Sequence, residues 1–256
     1  MIHTSAIIEK GAQIANNVSI GPYSIIGANV SIGEGTVIGP HVVINGHTSI
    51  GKNNRFYQFC SIGEENQDKK YKGEPTRTVI GDNNVFRESC TVHRGTVQDR
   101  SVTTIGNDNL VMAYVHIAHD CLIADHCILA NNATLAGHVH LGDWVIIGGM
   151  VGIHQFCHIG THAFIAMKSG LHQDVPPYVM AEGFNASARG INSEGLKRRG
   201  FSAEDIAAIK RAYKLVYRQS LTVKEVLPKL RELAQKCAHV APFADFIEQS
   251  TRGIVR

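Results

Sequence analysis

Residues 8–50, IEKGAQIANNVSIGPYSIIGANVSIGEGTVIGPHVVINGHTSI, place isoleucine at 8, 14, 20, 26, 32, 38, 44 and 50, every sixth position without exception. The spacing continues to Phe56 and Ile62 and resumes at Ile80, Phe86 and Val92. After a slip of one residue it runs through Ile105, Val111, Ile117, Ile123, Leu129, Leu135, Leu141, Ile147, Ile153, Ile159 and Ile165 to Leu171. A helix repeats every 3.6 residues and a flat strand every two, so neither gives a period of six. Three six-residue sides closing one triangular coil of eighteen do. Such coils stack at the roughly 4.8 Å separation of paired strands and bury three aliphatics each. The residue after the repeat position is mostly Gly or Ala, as at Gly21, Gly33, Ala118 and Ala136, which we read as the small residue of a sharp bend.

Two polar stretches interrupt the register, Glu64–Val79 and His93–Thr104, and are expected to leave the prism as loops. Loops on a rigid scaffold are where functional groups collect. Beyond Pro176-Pro177 the hexad disappears. Ser202 with Asp205, and Thr222 with Glu225, then form two capping boxes ahead of helical patterns, and a third short helix is expected in ADFIEQ. The expected fold is mainly β, a parallel β-helix over 1–185 with loops near 64–79 and 93–104, followed by a C-terminal α-helical cap over 186–256.

Composition narrows the function. A net charge of +3 with fourteen His is too weak to argue for nucleic acid. The start MIHTSAIIEKG lacks the basic and apolar regions of a signal peptide, and no apolar run approaches the roughly 18 residues of a membrane span. Six Cys without a CxxC pair read as reduced, buried thiols of a cytoplasmic protein.

Residues eighteen apart should lie on adjacent coils. That puts His119 over Gly137, Asp120 over His138, and His154 over His172, with His116 and His119 flanking one corner. An imidazole beside an unhindered Gly amide is a candidate base next to a candidate oxyanion donor.

The segments NQDKKYKGEPTR, HRGTVQ, HIAHDC, CILANNATLAGHV, GIHQFC, QDVPPYV and EGLKRRGFS, in this order, resemble the UDP-N-acetylglucosamine 3-O-acyltransferases that begin lipid A synthesis. The resemblance implies the left hand of the helix, which spacing alone does not give. It implies transfer of a 3-hydroxyacyl group from acyl carrier protein to the 3-hydroxyl of UDP-N-acetylglucosamine, in a site between neighbouring subunits of a homotrimer. His119 would then be the general base, Asp120 its orienting partner and the Gly137 amide the oxyanion donor. His116 and His138 would line the sugar and acyl site, with Asp68 and Lys70 reaching in from the first loop and Gln67 and His93 completing the sugar and phosphate contacts. Arg198 and Arg199 would bind the nucleotide, with Asn192, Glu194, His154 and Gln155 around them, because an Arg fork suits a diphosphate. No metal or organic cofactor is implied, since the thioester supplies the activation.

Met167 resembles the position that limits acyl length in this family, where Gly admits a long chain; Met implies an acyl group near ten carbons. The family commonly reads Gly-Asn where this chain has Gly183-Phe184-Asn185. Cap residues such as Lys210, Arg211, Lys214 and Arg218 could steer the acidic carrier protein. Three other readings share the scaffold. One is a zinc enzyme like the γ-class carbonic anhydrases, using His119, His154 and His158. Another is a related N-acyltransferase, expected to carry an extra N-terminal domain, and the third a purely structural β-helix.

Overall fold

The computed structural model describes residues 1–256. Three parallel sheets wrap into a triangular prism, and each coil contributes one short strand to each face. Face 1 begins at Ile7–Ile8 and ends at Gly170–Leu171, face 2 runs from Gln13–Ile14 to His158–Ile159, and face 3 begins at Ser19–Ile20. Paired residues are eighteen apart, as in Ile7 with Ile25 and Ile117 with Leu135. The repeat aliphatics form the buried column: Ile26, Ile44, Phe86, Ile117, Leu135 and Ile147 are all 0% exposed.

Two features of the coil were hidden in the sequence. From Val18 onward the residue two before each repeat position is also buried, because strand side chains alternate and that residue shares the inward face. Val42, Ala133, Val139 and five of the six cysteines (Cys60, Cys90, Cys121, Cys127 and Cys157) sit there. The bend is also not where it was expected. Gly21 and Gly33 have ordinary backbone angles; a Cβ on them would lie 2.7 Å and 2.6 Å from the backbone of the next coil. The small residue after the aliphatic is therefore required by the close approach of coils. The bend falls two residues later, on left-handed residues that are mostly not Gly, among them Tyr23, His41, Asp120, His138, Trp144 and Phe156. That conformation costs roughly 1 kcal/mol or more per residue outside Gly and turns each side chain out along an edge of the prism.

Both polar stretches leave at the edge joining face 1 to face 2. Ile62 pairs with Val92 at thirty residues, and Val92 with Ile117 at twenty-five, so the coils absorb insertions without losing register. The second insertion is not a multiple of six, which explains the slip. The loops are shorter than the polar stretches. Arg77–Ile80 and Val102–Ile105 are strands of face 2, with Thr78 and Thr103 buried two residues before the repeat aliphatics Ile80 and Ile105.

Past Pro177 the chain does not turn helical at once. Val179–Glu182 adds to face 3, and Ser187–Ile191 pairs antiparallel with it, carrying the sheet to Ile191, beyond the boundary expected at 185. This hairpin covers what would otherwise be an open sheet edge. Four helices follow: α1 (Ser193–Arg198), α2 (Ala203–Arg218), α3 (Val223–Lys236) and α4 (Ala241–Gln249). Ser202 with Asp205 and Thr222 with Glu225 form the two capping boxes. The C-terminus then returns to the last coil, where the Val255 N–H donates to the Asp174 carbonyl and Ser250 Oγ to the Asp174 carboxylate.

Candidate active site

Along the face 1–face 2 edge, Asp120, His138 and Phe156 occupy the left-handed position of three successive coils. Asp120 is fully buried. Its carboxylate accepts two hydrogen bonds from the Thr96 N–H at 3.0 Å each, one from Thr96 Oγ1 at 2.6 Å, and one from His119 Nδ1 at 2.9 Å. Its own N–H donates to Thr103 Oγ1 at 2.9 Å. Burial alone raises a carboxyl pKa, but the bonds from His119 and Thr96 outweigh it and hold Asp120 below its ordinary range.

With Nδ1 committed to Asp120, His119 presents Nε2 over Gly137. A Cβ at 137 would lie 2.6 Å from that nitrogen and 2.4 Å from Cε1, so any larger residue would push the His119 ring aside. The Gly137 N–H donates to no group of the chain. A carboxylate-oriented imidazole facing an unengaged amide can take a proton on one side and stabilise an oxyanion on the other.

His138 stands edge-on to His119 (ring centroids 5.0 Å apart) and stacks flat on Phe156 at 4.2 Å. Its Nδ1 meets the Asp99 carboxylate at 2.7 Å. A cavity of about 490 Å³ opens here, lined by Asp68 and Lys70 from the first loop, Thr96, Asp99 and Arg100 from the second, and His138, Gln155 and Phe156 from the coils. Gln67 is exposed on the first loop and does not line it. His93 and His116 form an edge-on pair at 4.9 Å, with Thr91 Oγ1 2.7 Å from His116 Nδ1. Burial, reinforced by His116, pushes His93 down to about 4, and burial with His119 lowers His116.

The remaining sequence candidates lie elsewhere. Arg199 reaches the face 2–face 3 edge, where its guanidinium lies 5.1 Å from the Trp144 ring and 3.1 Å from His162 Nδ1. Asn192 caps α1 and donates to the His162 carbonyl. Glu194 pairs with Lys197, and Arg198 is exposed. Met167, 62% exposed, is on the third edge. His154 is held by Arg252 at 2.9 Å and His158 stacks on His140, so the tight imidazole–carboxylate cluster is His119, Asp120 and His138. Phe184 is 85% exposed and lies against Gly170, which has no side chain to oppose it. Sequence reading missed Thr96, Asp99, Phe156, Trp144 and His162. Phe156 stands eighteen residues from His138, and His162 eighteen from Trp144, so that step could have found them.

Residues 174–255 match the family model described as Udp N-acetylglucosamine O-acyltransferase, Domain 2, and residues 103–137 match the bacterial transferase hexapeptide model. The chain is 54% identical to an acyl-[acyl-carrier-protein]–UDP-N-acetylglucosamine O-acyltransferase of Thiobacillus denitrificans, covering 100% of this chain and 99% of that one. The protein of the same name from Ectopseudomonas mendocina is 59% identical, again over 100% and 99%. The solved UDP-N-acetylglucosamine O-acyltransferase of Moraxella catarrhalis superposes with a TM-score of 0.98 at 50% identity, covering 100% and 99%. With this likeness and the hexapeptide match, the prism is a left-handed parallel β-helix. An identity above one half along the whole chain leaves no part unaccounted for, and the chain belongs to the family of UDP-N-acetylglucosamine O-acyltransferases.

Proposed function

We propose that this protein transfers a 3-hydroxyacyl group from acyl carrier protein to the 3-hydroxyl of UDP-N-acetylglucosamine, the first step of lipid A biosynthesis. The observation that carries the chemistry is the His119 imidazole, tied to buried Asp120 and facing the free Gly137 amide. His119 Nε2 takes the proton of the sugar 3-hydroxyl as its oxygen attacks the thioester carbonyl. The Gly137 N–H holds the oxyanion of the tetrahedral intermediate, and Asp120 stabilises the imidazolium that has formed. Collapse breaks the C–S bond, and the imidazolium returns its proton to the leaving thiolate. Ester and free carrier thiol result, and the thioester supplies the activation. Asp68, Lys70, His116, His138 and, from the loop surface, Gln67 surround the sugar and acyl portions, with His93 holding His116; Gln155 joins them rather than the nucleotide residues, because it lines the same cavity as Asp68 and His138. Asn192, Glu194, Arg198, Arg199 and His154 serve the nucleotide.

One chain cannot bring these groups together. His119, Met167 and Arg199 lie on three different edges, and a six-residue side at about 3.3 Å per residue separates edges by up to roughly 20 Å. A site using all three needs a neighbouring copy, which supports the homotrimer. Met167 closes the acyl groove from that neighbour and favours a donor near ten carbons, since each excluded methylene forfeits about 0.8 kcal/mol. Six free thiols suit the reducing cytoplasm, and no helix is long and apolar enough to cross a membrane.

The test is acyl transfer to UDP-N-acetylglucosamine by the wild-type protein and by His119→Ala and Arg199→Ala, each alone and after co-refolding. Activity that collapses in the first variant and returns in the mixture establishes both the base and the shared site. Inactivity of the wild type with every 3-hydroxyacyl donor refutes the reading. A rate ratio for 10- and 14-carbon donors that is unchanged in Met167→Gly refutes the acyl-length assignment.

A further inference from the structure

The second loop carries two side chains, three residues apart, that meet the outward residues of two successive coils. Thr96 caps Asp120, and Asp99 reaches His138 one coil further along. The loop is folded for this: the N–H groups of Asp99 and Ser101 both donate to the Thr96 carbonyl, which turns the chain back across the edge.

We propose that Asp99 is a positioning residue for His138, so that the site holds a second imidazole–carboxylate pair beside the first. The packing around His138 makes such a residue necessary. Its ring lies flat on Phe156, the planes 6° apart, and stands nearly perpendicular to His119 at 86°. Stacking fixes the plane of an imidazole but does not distinguish the two orientations related by a half-turn about the Cβ–Cγ bond. A half-turn exchanges nitrogens for carbons and alters what the ring offers to a substrate. Asp120 does not choose between them, because its nearer oxygen is 4.0 Å from His138 Nδ1 and is already engaged by Thr96 and His119. Asp99, at 2.7 Å, does. It makes Nδ1 the proton-bearing nitrogen and leaves Nε2, with its lone pair in the neutral ring, as the free nitrogen of the cavity.

The proposal rests on the reading of this site as the acyltransferase centre, and two measurements separate them. The first is a kinetic cycle of Asp99→Ala, His138→Ala and the double variant, with Asp99→Asn as the conservative control. Asp99 is on the exposed loop, so the fold should survive; matched melting curves check this. Loss of a charge-assisted hydrogen bond should lower kcat/KM roughly ten- to hundredfold in Asp99→Ala. The double variant should fall no further than His138→Ala alone, and Asp99→Asn, which keeps an acceptor oxygen, should recover part of the loss. Unchanged kcat/KM in Asp99→Ala, or losses that multiply in the double variant, overturn the proposal. The second is 15N NMR of histidine-labelled protein, which needs no activity. His138 should carry its proton on Nδ1 in the wild type and lose that preference in Asp99→Ala. A wild-type ring protonated on Nε2 alone overturns the proposal whether or not acyl transfer is observed, whereas absent transfer alone strikes only the proposed function.

Discussion

Two edges of the prism are built by the same device and do different things. At the face 3–face 1 edge, Tyr23, His41 and Phe59 are left-handed residues whose rings stack at 5.2 and 5.4 Å. They remain on the surface, with Tyr23 64% and Phe59 60% exposed. At the face 1–face 2 edge the equivalent positions hold Asp120, His138 and Phe156, and the inserted second loop covers the first two, leaving Asp120 with no exposure and His138 with 9%. The coil thus supplies a regular ladder of outward side chains on every edge. An edge becomes a site where an insertion buries its residues and gives each polar atom a partner. Burial without partners would be costly, and partners without burial would be screened by water.

That contrast can be broken most severely at the first edge. His119→Ala should lower the acyl-transfer rate by roughly 10²–10⁴, the usual contribution of a positioned base, in a steady-state assay. Gly137→Ala should cost about 10²–10³ in kcat. Its Cβ displaces the His119 ring from beside the Gly137 amide, the proposed oxyanion donor. An alanine variant with wild-type kcat would mean that the imidazole does not work over this residue. Thr96→Val keeps the backbone bonds to Asp120 but removes the 2.6 Å hydroxyl bond, and should lower kcat roughly tenfold with little change in melting temperature.

A smaller effect should appear in stability against pH. Burial pushes His140 and His162, like His93, down to about 4. In the unfolded chain these groups titrate near 6.5, so between about 6.5 and 4 the unfolded state binds more protons. The stabilisation from keeping them neutral is complete above that window and is lost as pH falls through it. Melting temperature should therefore drop from pH 7 to pH 4.5, and His140→Gln should flatten the drop. The smallest effect belongs to the other edge. Tyr23→Ser should leave kcat unchanged and shift stability by no more than about 0.5 kcal/mol, as read by denaturant melts. A marked loss of activity there would show that function on this edge extends beyond Met167 to the exposed ladder of Tyr23, His41 and Phe59.

Much of the site was legible because the coil converts sequence distance into spatial distance. His119 over Gly137 and Asp120 over His138 follow from a step of eighteen, and both hold in the structure. The same step fails across the insertions. Thr96 lies twenty-four residues from Asp120 and Asp99 thirty-nine from His138, and neither separation is a whole number of coils. The bend was misplaced for a related reason: a small residue is demanded both by a left-handed backbone and by close approach of a neighbouring strand, and spacing does not separate the two. The onset of the helical cap was missed because the hairpin of Val179–Glu182 with Ser187–Ile191 pairs at the end of the prism, where the hexad no longer applies.

The sequence by itself determined the prism, its coil length, the buried column, the two capped helices and the stacked His119–Gly137 contact. Each of these is periodic or local, so it is written within one turn of coil or helix. Only the tertiary structure decided which edge the loops close over, how Thr96 and Asp99 engage Asp120 and His138, and that His119, Arg199 and Met167 stand on three separate edges. Those contacts join parts of the chain with no common period, and they exist because burial obliges each buried polar group to find a partner wherever the fold brings one.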